Sequence, residues 1–180
     1  MKIFAAIAIF IALMMGTALL VIYSGLYNVA ATQPDNPLVR WALSTTSDHS
    51  ISYHAKQIKA PLLTDAALIK EGLYHYREMC VPCHGRPGLY PTELNKGLNP
   101  RAPKLAESAK EFNASELFWV IKNGIKMTGM PAWGTSHSDD KIWAIVAFVK
   151  RLPALTPQEY VALDQAVQKE AQERNHVHQH

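Results

Sequence analysis

The sequence is poor in the residues that would place it in several common classes of protein. Only two of its 180 residues are cysteine, so no framework of disulfide bonds holds the fold together. Charged residues make up 18% of the chain, below the usual ~25%. The net charge of +3 is too small to indicate a nucleic-acid-binding protein. The 48% share of hydrophobic residues excludes a disordered chain.

A long uncharged segment occupies the N-terminus. Residues Ile3 to Tyr23 carry no charge and would span ~31 Å as a helix, enough to cross a hydrocarbon core of ~30 Å. Lys2 precedes this run and no other lysine or arginine occurs before Arg40. We therefore predict a single transmembrane anchor over residues 1–25 in the inner membrane, with the rest of the chain on the periplasmic side. A cleaved signal peptide is the alternative, although its apolar region is usually ~7–15 residues long.

The segment that follows the anchor, residues 26–60, is predicted to be a linker and a helix. Pro37 can occupy the first turn of a helix that runs to about Lys59. The apolar residues of this helix repeat imperfectly. The segment is therefore either a solvated spacer or an element that docks on the membrane surface or on a partner.

Helix signals continue through the remaining sequence and strand signals are weak, which predicts an all-α fold. Thr64 with Asp65 begins a helix that runs to Cys80, and Asn113 with Glu116 forms a capping box at the start of another. We predict helices over 64–80, 115–123, 139–152 and 157–174, and loops over 85–105 and 124–138. Residues 156–180 combine the last amphipathic helix with a histidine-rich tail. His176, His178 and His180 in this tail either bind a divalent metal or belong to a frayed terminus.

The two cysteines lie in the sequence Cys80-Val81-Pro82-Cys83-His84. This C-x-x-C-H pattern is the attachment signature of c-type haem. Two thiols one helical turn apart can each add to one vinyl group of the porphyrin and form a thioether. The histidine that follows is then carried under the iron as an axial ligand. The pattern predicts one covalent haem c, attached at Cys80 and Cys83, with its iron bound by His84.

Three other sites could use the same two cysteines. A thioredoxin-like redox pair would require a preceding strand, whereas the residues before Cys80 are predicted to be helical. A zinc site would require a second pair of ligands, and His75 and His137 have no suitable partner pattern. A disulfide between Cys80 and Cys83 would close too small a loop to constrain the fold. Haem attachment is therefore favoured.

An iron that only shuttles electrons needs a second axial ligand, and Met130 is the candidate. It lies in the sequence Thr128-Gly-Met-Pro-Ala-Trp-Gly134, and a neutral thioether stabilises ferrous iron. Met127 is the alternative ligand, and most methionines are core residues in any case. With both axial positions filled, no open site remains for a small-molecule substrate, which favours a carrier over an enzyme. The aromatic residues Phe118, Trp119, Trp133 and Trp143 either pack on the porphyrin or form core contacts with one another.

Together these motifs resemble a class I mono-haem c-type cytochrome, and the resemblance covers about residues 62–155. Gly72 and Tyr76 match the N-terminal helix of that family, where the glycine allows close crossing of the C-terminal helix against an aromatic residue, here Phe148. The resemblance implies that the carbonyl of Pro103, or alternatively of Pro100, accepts a hydrogen bond from His84. We accordingly predict a cytochrome c domain over residues 61–155.

The predicted function is one-electron transfer by a membrane-anchored periplasmic carrier. Its partners would be the membrane and redox proteins, with a respiratory complex among the candidates; nucleic acid and small-molecule substrates are not expected. One alternative is a fixed electron-transfer subunit of a larger membrane reductase or oxidase. The other is a haem-based ligand sensor or a peroxidase-like enzyme, which would require Met130 to be absent from the iron or labile.

Overall fold

The computed structural model of the protein describes residues 1–177, and every regular element in that range is a helix. The predicted all-α fold is confirmed. Residues 1–34 and the residues from Asp35 onward form two compact units. His178 and His180, for which the sequence suggested a metal site or a frayed end, lie outside the described residues.

The first unit contains the helix α1, Lys2–Ser24, which confirms the helix expected from the uncharged run. It ends at Gly25, whose φ of 70° is a left-handed conformation that glycine adopts without strain. None of its residues is buried. The helix is long and apolar enough to cross a membrane, a property that signal sequences near an N-terminus share. The choice between a retained anchor and a cleaved signal therefore stays a prediction.

The second unit is built from eight helices within the described residues. Their order along the chain is α2 (Pro37–Ala55), α3 (Ala66–Met79), α4 (Val81–His84), α5 (Glu93–Gly97), α6 (Leu105–Glu111), α7 (Ala114–Asn123), α8 (Asp139–Arg151) and α9 (Pro157–Val177). Short 3₁₀ turns lie at Trp133–Thr135 and Leu152–Ala154.

Capping residues account for several helix boundaries that the sequence indicated. The side chain of Asp65 accepts a hydrogen bond from the backbone of Ala67 at the start of α3. At the start of α7, the side chain of Asn113 accepts from the backbone of Glu116, and the Glu116 carboxylate accepts in return from the backbone of Asn113. These reciprocal bonds satisfy amide groups that the first turn of a helix leaves free.

The predicted loop over residues 85–105 contains structure that the sequence did not indicate. The helix α5 lies inside it, and α6 begins at its last residue. A five-residue helix is too short to show a hydrophobic period, so only its Thr92 N-cap signals it. The helix α2 also ends at Ala55 rather than near Lys59.

The core is centred on the crossing of α3 over α8. Gly72 of α3 lies directly against the backbone of α8, because a Cβ atom placed there would overlap the carbonyl oxygen of Ala144 and come within 2.9 Å of the Phe148 Cβ. One turn further along α3, the ring of Tyr76 contacts the ring of Phe148 with centroids 5.0 Å apart. The glycine and the aromatic residue thus meet as the family resemblance implied.

The close crossing at Gly72 predicts a large effect of a single methyl group. Gly72→Ala should lower the free energy of unfolding by about 1–3 kcal/mol, because the added Cβ forces the two backbones apart. The matched control is Gly97→Ala, since a Cβ atom at Gly97 meets nothing within 4 Å. Thermal unfolding of the haem-loaded protein, followed by circular dichroism, provides the comparison. Equal melting temperatures for the two variants would contradict the role assigned to Gly72.

Candidate functional site: a haem-attachment turn and its cavity

The C-x-x-C-H segment forms a single tight helical turn. Cys80 ends α3, where its backbone N–H donates to the carbonyl of Tyr76 at 2.9 Å. The carbonyl of Cys80 then accepts from the N–H groups of Cys83, at 3.2 Å, and His84, at 2.7 Å. The two thiols and the imidazole therefore belong to residues of a single helical turn.

Gly85 lets the chain turn away immediately after the histidine. Its φ is 69°, and a Cβ atom there would overlap the carbonyl oxygen of Leu89. Its own carbonyl accepts a hydrogen bond of 2.8 Å from the hydroxyl of Tyr76. Tyr76 thus packs at the crossing of α3 and α8 through its ring and stabilises the end of the attachment turn, Cys80–His84, through its hydroxyl.

The imidazole of His84 is held in one orientation by a backbone carbonyl. Its Nδ1 lies 2.8 Å from the carbonyl oxygen of Pro103, and a carbonyl can only accept, so Nδ1 carries the proton. The opposite nitrogen, Nε2, keeps its lone pair for a metal. Burial of His84 lowers the pKa of the imidazole, and the bond to Pro103 partly opposes this. The hydrogen bond is made by Pro103 and not by the alternative, Pro100.

One cavity brings together the side chains proposed from the sequence. Cys80, Cys83, His84 and Met130 all line it. The remaining wall is mostly apolar and includes Leu98, Leu105, Phe112, Leu117, Val120, Ile121, Ile145 and Val149. Apolar walls with two thiols, an imidazole and a thioether fit a porphyrin whose iron takes nitrogen and sulfur ligands.

Met130 lies in a closed loop that directs it to this cavity. The N–H of Met130 donates to Thr128 Oγ1 at 3.1 Å, and the same hydroxyl donates to the carbonyl of Ile125 at 2.8 Å. Gly124, with φ of 66°, allows the loop to close, because a Cβ atom there would lie 2.7 Å from the Met130 carbonyl oxygen. Met127, the alternative ligand, is 87% exposed and is not part of the cavity wall. Met79 also lines the cavity, although it directly precedes Cys80.

The helix α2 contributes a wall of the cavity that the sequence did not assign. Ser47, Asp48 and Ile51 line it. The same part of α2 packs on α7, where Ser52 Oγ donates to Glu116 Oε1 at 2.7 Å. The buried residues Ile51 and Ala55 are spaced by one helical turn, but two such residues in an otherwise irregular pattern are too weak a sequence signal to identify this wall.

The aromatic residues divide between the cavity and the core. Trp133 lines the cavity. Phe118 and Trp143 instead stack on each other with ring centroids 4.1 Å apart, and Trp119 stacks on His54 of α2 at 5.5 Å. Phe118 and Trp143 therefore belong to the core, whereas Trp119 is only partly buried and packs on an exposed residue of α2.

The structure also bears on the competing uses of the cysteines. Both thiols are free. Burial, with a smaller contribution from Cys83, raises the pKa of the Cys80 thiol to about 12, whereas a redox-active cysteine needs a lowered pKa. Within residues 1–177, no group of three or more His, Cys, Asp or Glu side chains is arranged to hold a metal ion.

Two histidines pack together beside the loop that holds Met130. The rings of His75, on α3, and His137 have centroids 5.4 Å apart, and His137 also contacts Trp133 of the cavity wall. Burial, followed by the charges of His137 and Lys141, lowers the pKa of His75, and Glu71 at 4.0 Å only partly opposes this. His75 therefore stays neutral at pH values at which an exposed histidine would begin to take up a proton.

Residues 67–149 match the model of the family described as cytochrome c oxidase, cbb3-type, subunit III. The matched span begins in α3, ends in α8 and includes the C-x-x-C-H turn, Pro103 and Met130. The comparison with curated proteins found no match. The family match confirms the c-type cytochrome resemblance, a covalently bound haem c with its iron as the cofactor, and electron transfer as the general function.

The lowered pKa of His75 predicts a stability that depends on pH. The unfolded chain binds a proton near pH 6.5 while the folded protein still excludes it, so stability is present above that pH and is lost as pH falls through the folded pKa. His75→Gln should flatten this loss between about pH 7 and about pH 5. The matched control is His49→Gln, on the exposed face of α2. The measurement is the melting temperature of the haem-loaded protein across this range. An identical slope in wild type and His75→Gln would refute the prediction.

Proposed function

Because residues 67–149 form a c-type cytochrome domain, we propose that the protein is a membrane-anchored periplasmic electron carrier. Cys80 and Cys83 would hold the haem through thioethers, and His84 and Met130 would bind its iron. The observation that carries this proposal is the single apolar cavity lined by all four side chains. When bound, haem c supplies a one-electron ferric–ferrous couple.

The residues of the cavity would set the properties of this couple. His84 donates Nδ1–H to Pro103 and presents Nε2 toward the cavity, so its orientation is fixed before a metal binds. The thioether of Met130 is neutral and soft and favours ferrous iron. The apolar wall excludes water and penalises the extra charge of the ferric state, which also raises the reduction potential. These features suit an acceptor of electrons that later passes them on.

A carrier function follows from the ligand set and from the N-terminal helix. If both His84 and Met130 bind the iron, no position would remain open on it for a substrate. The helix α1 would keep the domain at the membrane, and Lys2 before it favours a periplasmic location for the rest of the chain. Redox partners would then be met by diffusion in the plane of the membrane.

The description of the matched family favours a second candidate function. That family is named for the third subunit of a cbb3-type cytochrome c oxidase. In addition, the first half of α2 exposes the large apolar side chains of Leu38, Val39, Trp41 and Leu43, which a protein partner would cover. The protein would then be a fixed electron-transfer subunit of a membrane complex. Purification of the full chain in mild detergent separates the two: a stoichiometric haem-containing partner supports the subunit, and a lone chain supports the carrier.

The ligand assignment predicts a specific spectroscopic change. Ferric wild-type protein should show the far-red band of sulfur-to-iron charge transfer, and Met130→Leu should abolish it and lower the reduction potential, because the sulfur ligand is lost. Met127→Leu is the matched control and should leave both unchanged, since Met127 is exposed outside the cavity. A band that persists in Met130→Leu would contradict the assignment and point to Met79 or Met127.

A further inference from the structure

A buried asparagine on α5 joins the two chain segments that meet at the His84 imidazole. Asn95 is 0% exposed. Its Nδ2 donates to the carbonyl of Cys83 at 2.8 Å and to the carbonyl of Ala102 at 2.7 Å. Cys83 directly precedes His84, and Ala102 directly precedes Pro103. One side-chain amide therefore holds the peptide groups next to both partners of the His84–Pro103 hydrogen bond.

The orientation of this amide is determined by its surroundings. Both neighbours of Nδ2 are carbonyl oxygens, so turning the amide over would place oxygen against oxygen. The Oδ1 atom is buried and has no hydrogen-bond partner within the described part of the chain. A buried acceptor without a partner costs stability. The presence of an asparagine at this buried position is therefore explained better by the two hydrogen bonds that it donates than by a general contribution to stability.

Two neighbouring side chains support the same arrangement. Thr92 Oγ1 donates to the carbonyl of Pro82 at 2.6 Å and accepts from the N–H of Asn95 at 3.1 Å, which attaches the start of α5 to the attachment turn. The hydroxyl of Tyr90 gives the carbonyl of Ala102 a second donor at 2.9 Å. Thr92 thus secures the helix, whereas Asn95 and Tyr90 secure the segment that carries Pro103.

We propose that Asn95 is a positioning residue that fixes the hydrogen bond between His84 Nδ1 and the Pro103 carbonyl. This inference rests on the proposed function, in which His84 is an iron ligand. A firm bond from Nδ1–H to a carbonyl makes the imidazole a stronger donor to the metal, which stabilises ferric iron. Asn95 would thereby lower the reduction potential while reaching neither the histidine nor the iron itself.

The test compares Asn95→Leu with Thr92→Val. Leucine has the same branching and the same number of side-chain heavy atoms as asparagine but cannot donate a hydrogen bond. Both carbonyls therefore lose their shared partner. Two quantities are measured on the full-length haem-loaded protein: the reduction potential, and the rate at which the Nδ1 proton of His84 exchanges with solvent, by nitrogen-15 NMR of the reduced state. Asn95→Leu should raise the reduction potential and accelerate exchange about tenfold, which is the effect of losing the single hydrogen bond between His84 and Pro103. Thr92→Val removes the bond from α5 to Pro82 but keeps the amide of Asn95 and both of its carbonyl partners, so it should shift both quantities less than Asn95→Leu does.

The outcomes separate this inference from the proposed function. A wild-type protein whose His84 does not bind iron overturns both. A His84-ligated protein in which Asn95→Leu changes neither quantity overturns the role of Asn95 alone, as do equal changes in Asn95→Leu and Thr92→Val. If Asn95→Leu does not fold, Asn95→Ala provides the decision, because it removes the same two donated bonds without adding volume. This second variant should also raise the reduction potential and accelerate exchange of the Nδ1 proton. If it changes neither quantity, the inference is overturned.

Discussion

Backbone hydrogen bonds from Cys83 and His84 to the carbonyl of Cys80 hold two thiols and an imidazole within one helical turn. This turn constrains everything around it, because a rigid, flat cofactor held by both thiols, as proposed above, would leave little freedom for the third group. The direction of the His84 ring would then have to agree with that attachment. The carbonyl of Pro103 fixes that direction from outside, and the rest of the fold brings the Pro103 segment and the Met130 loop to the same cavity.

The cavity explains why so much of the domain is irregular. Residues 85–104 and 124–138 contain few helical turns, yet they carry Pro103 and Met130, which have to approach the cavity from different directions. Irregular backbone is stable there because specific side chains satisfy it, such as Asn95 for Ala102 and Thr128 for Met130. The helices α3, α7 and α8 provide the rigid frame, and the crossing of α3 and α8 at Gly72 sets the spacing of those two helices.

Parts of the fold and site could be read from the sequence because they depend on local signals. The C-x-x-C-H spacing, the Asn113 capping box and the uncharged N-terminal run each lie within a short stretch of chain. The roles of Asn95 and of α2 could not be read, because they depend on contacts between distant segments. Asn95 has the sequence context of a loop, and the largest apolar residues of α2, such as Trp41, are exposed while the smaller Ala55 is buried. Neither pattern distinguishes a spacer from a cavity wall.

The most direct measurement for the central claim is the intact mass of the denatured protein, produced in a host that matures c-type cytochromes. Covalent attachment predicts the mass of the polypeptide plus one haem in the wild type. It also predicts the mass of the bare polypeptide in the double variant Cys80→Ala, Cys83→Ala. A wild type without the haem mass, or a double variant that retains it, would contradict haem attachment at these two cysteines.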